Sequence, residues 1–129
     1  MKLILQTIFL SVIFTVAVAA QTKVTFNVNL QPMLEDSSFV PGQDFLEVTG
    51  NLHPFTRTTR FELKDSAPRD SVYSVTLDFP RRLNGQTLTF NYVIKSLVNK
   101  ERTEFMERTL ILTGEAIELP PLYFDSFSI

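Results

Sequence analysis

The sequence predicts one all-β domain, an antiparallel β-sandwich of about seven to eight strands, behind an N-terminal signal peptide. Three observations support this prediction. Apolar and polar residues alternate in several runs of the chain after residue 20, as they do in half-buried strands. Turn-forming residues separate these runs. No useful stretch beyond residue 20 keeps a helical period.

The first element, Met1–Ala20, has the features of a cleavable signal peptide. Lys2 gives a short positive start, a mostly apolar stretch follows, and Ala19 and Ala20 close it with small residues. We therefore expect export to the periplasm or the cell exterior, with the β-sandwich domain at 21–129. An uncleaved membrane anchor is the alternative, but the stretch is near the lower length limit for a span and lacks a basic stop-transfer flank.

Three of the predicted strands show the alternation most clearly, and Val93 is the one apolar residue out of phase with it. Four shorter runs are rich in β-forming residues. The clear strands are Thr22–Leu30, Ser71–Phe79 and Thr87–Lys95, and the shorter ones are Phe45–Thr49, Thr58–Leu63, Thr109–Thr113 and Leu119–Phe124.

Turn chemistry fills the connections between these strands. Proline, glycine, asparagine and aspartate recur there, at Pro41–Asp44, Asp65–Asp70, Leu83–Gly85 and Gly114–Glu115. The longest irregular stretch, Gln31–Asp44, has room for a helical turn. Seven strands so spaced predict two sheets that bury their apolar faces against each other.

The fold must be stable without cross-links, because the chain has no cysteine. This absence excludes disulfides, thiolate chemistry and a lipid-anchored cysteine at the cleavage point. Ten phenylalanines and three tyrosines follow residue 20 and supply large apolar area for a packed core.

The charge balance argues against a nucleic-acid partner. Loss of Lys2 with the signal peptide leaves eleven basic and fourteen acidic residues, a net charge of −3 with His53 neutral. This balance is not the basic footprint of a nucleic-acid-binding protein, nor does it offer a positive patch to an anionic membrane surface. No segment after the signal peptide is apolar enough to span a membrane.

The sequence predicts no enzyme and no cofactor. A Ser-His-acid triad would need His53, the only histidine, which lies in a predicted loop with no nucleophile turn nearby. Candidate carboxylates for glycoside cleavage, such as Glu62, Asp70 and Asp78, are scattered over turns and solvent-facing positions. The chain lacks Cys/His clusters for zinc and closely spaced oxygen ligands for calcium. The charged segment Lys100–Glu104 is predicted to form a solvated hairpin tip.

An ordered series of short motifs spans nearly the whole predicted domain. It resembles the starch-binding type of carbohydrate-binding module, in the form found in exported proteins of Bacteroidetes-like bacteria, which read roughly V-T-F-x-V-N-M, V-x-G-x-F-N-x-W, D-x-x-Y-x-x-T-L and L-P-x-V-x-F. The resemblance implies an immunoglobulin-like β-sandwich. The matching segments are Val24–Leu30, Phe39–Asp44, Leu46–Phe55, Asp70–Leu77, Phe90–Ile94, Glu107–Leu110 and Leu119–Phe124.

Members of this family hold sugar rings on exposed aromatic faces, and the resemblance implies candidate ligand-binding residues here. The chain contains no tryptophan, and Phe55 stands at the family's tryptophan position. Asn51 and His53 belong to the same turn and would supply polar contacts. Phe105 is the nearest candidate for a second aromatic. Two alternatives stay open, because Phe55 is also suited to closing one end of the sandwich and Phe105 to core or edge packing.

Two functions follow from this resemblance. The first is non-catalytic binding of a polysaccharide, starch or a related α-glucan. The second is a structural or protein-interaction domain of the cell envelope that keeps the sandwich without glycan binding. The missing tryptophans favour the second function, and the order of the motifs favours the first.

Overall fold

The computed structural model describes residues 20–65 and 70–126, and the predicted signal peptide lies almost wholly outside them. Nine strands, one helix and a 3-10 turn at Arg81–Leu83 occur in this part of the chain. The elements are β1 (Thr22–Asn29), α1 (Gln31–Glu35), β2 (Asp44–Gly50), β3 (Phe61–Asp65), β4 (Val72–Phe79), β5 (Thr87–Ser96), β6 (Arg102–Thr103), β7 (Arg108–Ile111), β8 (Ala116–Glu118) and β9 (Leu122–Tyr123).

The strands form the two layers of an all-β sandwich, as predicted. In one layer β1 pairs antiparallel with β4 and parallel with β8 and β9. In the other layer β5 pairs with β2 on one side and with β6 and β7 on the other. Strand β3 belongs to both layers, since Leu63 pairs with Leu46 of β2 and Lys64 pairs with Ser74 of β4.

The core lies between the layers and is built from the alternating residues of β1 and β5. Val24, Phe26 and Val28 are fully buried on β1. The ring of Phe26 meets that of Phe90 edge to face, with 5.1 Å between centroids. Aromatic pairs in this arrangement add to the stabilisation that apolar burial provides. The predicted inward rows are therefore confirmed on both strands.

The strands near the end of the described chain differ from the prediction. Of the expected strand Leu119–Phe124 only β9 forms, because Pro120 and Pro121 have no N–H to donate to a ladder, and β8, which was not predicted, precedes it. Both β8 and β9 run parallel to β1, so the sandwich is not purely antiparallel. The short strand β6 was not predicted, whereas the helical turn expected in Gln31–Asp44 is present as α1.

Glycine has the predicted role in the turns. Gly85 adopts φ +89, a left-handed conformation that residues with a Cβ rarely adopt. In the described part of the chain no helix has the length and apolar character that a membrane crossing requires.

Candidate functional site

Phe55, the first predicted aromatic platform, is buried. Its side chain is 3% exposed and packs against Phe61 and Phe79, with 5.6 and 6.1 Å between ring centroids. A Cβ on Gly50 would lie 2.7 Å from Cδ2 of this ring, so the glycine makes room for it. Because the ring face is covered by protein, the structure contradicts an exposed platform at Phe55. The alternative, a ring that closes one end of the sandwich, agrees with this position.

Asn51 and His53 lie on the same loop, between β2 and β3. The Asn51 side chain accepts a hydrogen bond from the Thr89 N–H at 2.8 Å, and the Asn51 N–H donates to the Thr89 carbonyl at 3.1 Å. His53 Nδ1 lies 3.0 Å from the Thr56 hydroxyl. Asn51 therefore holds the loop against β5 and is itself exposed to solvent. His53 is half-buried.

Phe105, the second predicted aromatic, lies in the segment between β6 and β7 and is 92% exposed. The alternative of core packing is therefore wrong. The Phe105 N–H donates to Asp125 Oδ1 at 2.8 Å, which ties the backbone below the ring to the end of the described chain. Asp125 itself has φ +61, an uncommon conformation for a residue with a side chain.

Glu104 and Arg108, which lie on either side of Phe105 in the chain, form a buried ion pair. Arg108 Nη2 lies 2.6 Å from Glu104 Oε2, and the exposed fractions of the two side chains are 11% and 0%. Glu104 Oε1 accepts from the Tyr92 N–H at 3.1 Å, and Oε2 accepts from the Asp125 N–H at 2.7 Å. The prediction of a solvated tip over Lys100–Glu104 is therefore wrong at Glu104.

The surroundings of this pair determine its electrostatics. Burial by itself lowers the pKa of Arg108, but the hydrogen bond and charge of Glu104 outweigh that effect and hold the pKa above its usual value. The Arg108 guanidinium also lies 5.1 Å from the centroid of the Tyr92 ring. Burial raises the pKa of Tyr92. Arg108 thus stays charged at neutral pH, 2.6 Å from Glu104 Oε2.

Two shallow concavities adjoin the Phe105 segment. The first, ≈ 250 Å³, is lined by polar side chains that include Thr49, Asn51, Asn91 and Glu107. The second, ≈ 330 Å³, lies between the layers and is also lined by Glu107. Asn51 and Glu107 thus meet in one concavity, and Glu107 is two residues beyond Phe105 in the chain.

The largest of the three concavities, ≈ 410 Å³, lies elsewhere and shares no lining residue with these two. It is bordered by residues such as Phe39, Asp44, Glu62 and Tyr73. Within the described residues, no group of three or more histidines and carboxylates is placed to hold a metal ion.

Sequence reasoning missed the polar lining around Asn51. Thr49 and Asn91 are directly opposite each other in the β2–β5 ladder and share its outer face. The alternation of β2 and β5 contained that signal, because both residues occupy outward positions. Glu107 gave no such signal, since its place depends on the path of the chain between β6 and β7.

Comparison with known proteins identifies a shared fold. No protein-family model matches the sequence, and no curated protein matches it. Among solved structures, the chain is similar to a gamma-CGTase from alkalophilic Bacillus clarkii, with a TM-score of 0.54 and 12% sequence identity. The similarity covers 82% of this chain and 15% of that chain. At this identity the likeness concerns the β-sandwich itself.

Proposed function

We propose that this chain is a non-catalytic, exported carbohydrate-binding module for an α-glucan. The fold supports the proposal, because a similar sandwich forms part of a CGTase, a cyclodextrin glycosyltransferase. The order of motifs that resembles starch-binding modules supports it independently. The observation that carries the proposal is the Phe105 ring, a large aromatic surface that is 92% exposed and stands on an anchored backbone.

The Phe105 ring supplies the apolar part of the binding surface. The ring hydrogens of a glucose unit pack on an aromatic face, and nearby polar groups select the hydroxyls. Asn51, Asn91 and Glu107 line the adjoining concavity and provide these polar groups. Phe55 contributes indirectly, because it supports the loop that carries Asn51. One aromatic platform must offset the ligand's loss of freedom, so we expect weak binding.

The proposal predicts that Phe105→Ala lowers the affinity for maltoheptaose and soluble starch by about tenfold or more, since aromatic anchors dominate binding energy. Calorimetry and retardation in starch-containing gels measure this loss. Ile111→Ala is the matched control, because Ile111 is also a large exposed side chain, at 58%. Lack of binding by the wild type at millimolar oligosaccharide, or equal binding by Phe105→Ala, would contradict the proposal.

A protein-interaction role is the second candidate. Its support is that two further exposed apolar side chains, Met106 at 59% and Tyr123 at 49%, belong to the same segments as Phe105 and its partner Asp125. Aromatic residues and methionine are enriched in protein interfaces. Specific capture of an envelope protein, lost in Phe105→Ala and unaffected by maltoheptaose, would favour this role over glycan binding.

A further inference from the structure

The connection between β5 and β6 projects two large aliphatic side chains into solvent. Leu97 and Val98 are 69% and 67% exposed, and they follow each other at the outermost part of the connection. We call residues Ser96–Lys100 the β5–β6 tip. Neither aliphatic residue lines any of the three concavities described above. The tip therefore exposes two adjacent apolar side chains outside these concavities.

The backbone of the β5–β6 tip is hydrogen-bonded within the protein. The Leu97 N–H donates to the Gln43 carbonyl at 3.0 Å. The Val98 and Asn99 N–H groups both donate to the Ser96 hydroxyl oxygen, at 3.3 and 3.1 Å. Moving an unpaired N–H out of water is costly. Three successive N–H groups of the tip already have hydrogen-bond acceptors. Moving the tip out of water therefore leaves none of these three N–H groups unpaired.

Positive charge flanks the aliphatic pair. Lys95 and Lys100 are exposed on either side of it. The acidic residue beside them, Glu101, is held by Arg60, with Nη1–Oε1 and Nη2–Oε2 distances of 2.6 and 3.1 Å. The whole chain has a net charge of −2, so the positive character is local to this end of the sandwich. The expectation of no positive patch for an anionic membrane followed from the overall charge balance, and it does not hold at this tip.

We propose that the β5–β6 tip docks on a lipid membrane whose surface carries anionic headgroups. Leu97 and Val98 enter the interfacial layer, while Lys95 and Lys100 contact the headgroups. A protein partner is a poorer match, because leucine and valine are under-represented among hot spots and lysine is depleted in interfaces. The proposal is independent of glycan binding, since it uses none of the residues around Phe105.

Vesicle flotation tests this proposal directly. The chain from Gln21 onward retains every described strand and lacks the apolar signal peptide, which would itself enter vesicles. We expect it to float with vesicles of equal parts phosphatidylcholine and phosphatidylglycerol, and to float less at high salt. The Leu97→Ser, Val98→Ser double variant removes the two aliphatic side chains that enter the interfacial layer, and it should weaken binding by about tenfold or more. Lys95→Gln and Lys100→Gln should each weaken it by about fivefold.

Ile111→Ser is the control, because it removes another exposed aliphatic side chain, at 58%, from a different part of the sandwich. It should float like the wild type. Thermal unfolding identifies any variant that has lost its fold. The tip variants should unfold at the same temperature as the wild type, because the replaced side chains are exposed. Absence of flotation at millimolar lipid, or wild-type flotation of the double variant, overturns the proposal. Capture of an envelope protein through Leu97 and Val98 without vesicle binding also overturns it.

Discussion

Phe55 and Phe105 are the same residue type in opposite environments. Phe55 is 3% exposed and fills the end of the core, whereas Phe105 is 92% exposed. Both stand in loops among polar residues, so local sequence could not distinguish them. Burial depends on what the rest of the chain places beside each ring, such as Phe61 and Phe79 against Phe55.

At the residue scale we predict that Phe55→Ala lowers the free energy of unfolding by about 3–5 kcal/mol, through lost burial and the cavity left behind. Urea denaturation followed by circular dichroism measures this change. Phe105→Ala is the control and should alter stability by less than about 0.5 kcal/mol, as exposed substitutions usually do. A large loss in Phe105→Ala would show that this ring packs on the protein instead of facing solvent.

At the scale of elements, the segment from β6 to β7 depends on one buried ion pair. Arg108 joins the pair to the end of the described chain through the carbonyls of Tyr123 and Ser126, at 3.3 and 3.0 Å. The four-residue spacing of Glu104 and Arg108 would suggest a helix face, yet the segment bends at Phe105 and Met106 and contains no helix. The sequence therefore offered no means of predicting this contact. The long strands were predictable because their alternation is local.

We predict that Glu104→Gln lowers the free energy of unfolding by about 3–5 kcal/mol, because it removes the carboxylate charge that faces the buried Arg108 guanidinium. Glu107→Gln should change the free energy of unfolding little, since that neighbouring carboxylate is exposed. Replacing both members of the pair, as in Glu104→Met with Arg108→Leu, should cost less than Glu104→Gln alone. Chemical denaturation of the four proteins checks the order, and a double variant less stable than Glu104→Gln would contradict it.

For the whole molecule, stability without disulfides depends in part on a buried carboxylate at the start of β2. Asp44 is 3% exposed, and its Oδ2 accepts the Val40 N–H at 2.8 Å. Burial alone raises the pKa of Asp44, but the nearby Ser96 hydroxyl, the Val40 N–H and the charge of Arg102 outweigh burial and hold the pKa below its usual value of 3.8. The deprotonated form is therefore the one that the fold stabilises.

A carboxyl group whose pKa is lower in the folded state than in the unfolded state stabilises the fold at any pH above its unfolded-state pKa. This contribution is lost as the pH falls through the folded-state pKa. We therefore predict that wild type exceeds Asp44→Asn in unfolding free energy by about 1–3 kcal/mol at pH 7, the usual strength of hydrogen bonds to a charged group. The difference should narrow as the pH falls below about 4. Thermal melts between neutral and acid pH measure it, and a constant difference would refute the assignment.

The membership of β3 in both sheets makes the two long edges of the sandwich unequal. At the β3 edge the same short segment pairs with both β2 and β4. The layers cannot separate there without breaking the backbone hydrogen bonds of one of these pairings. At the far edge, β7 faces β9 across the ≈ 330 Å³ concavity, and Arg108 donates hydrogen bonds to the carbonyls of Tyr123 and Ser126. We therefore expect the two layers to separate first at the far edge, while the β3 edge stays closed.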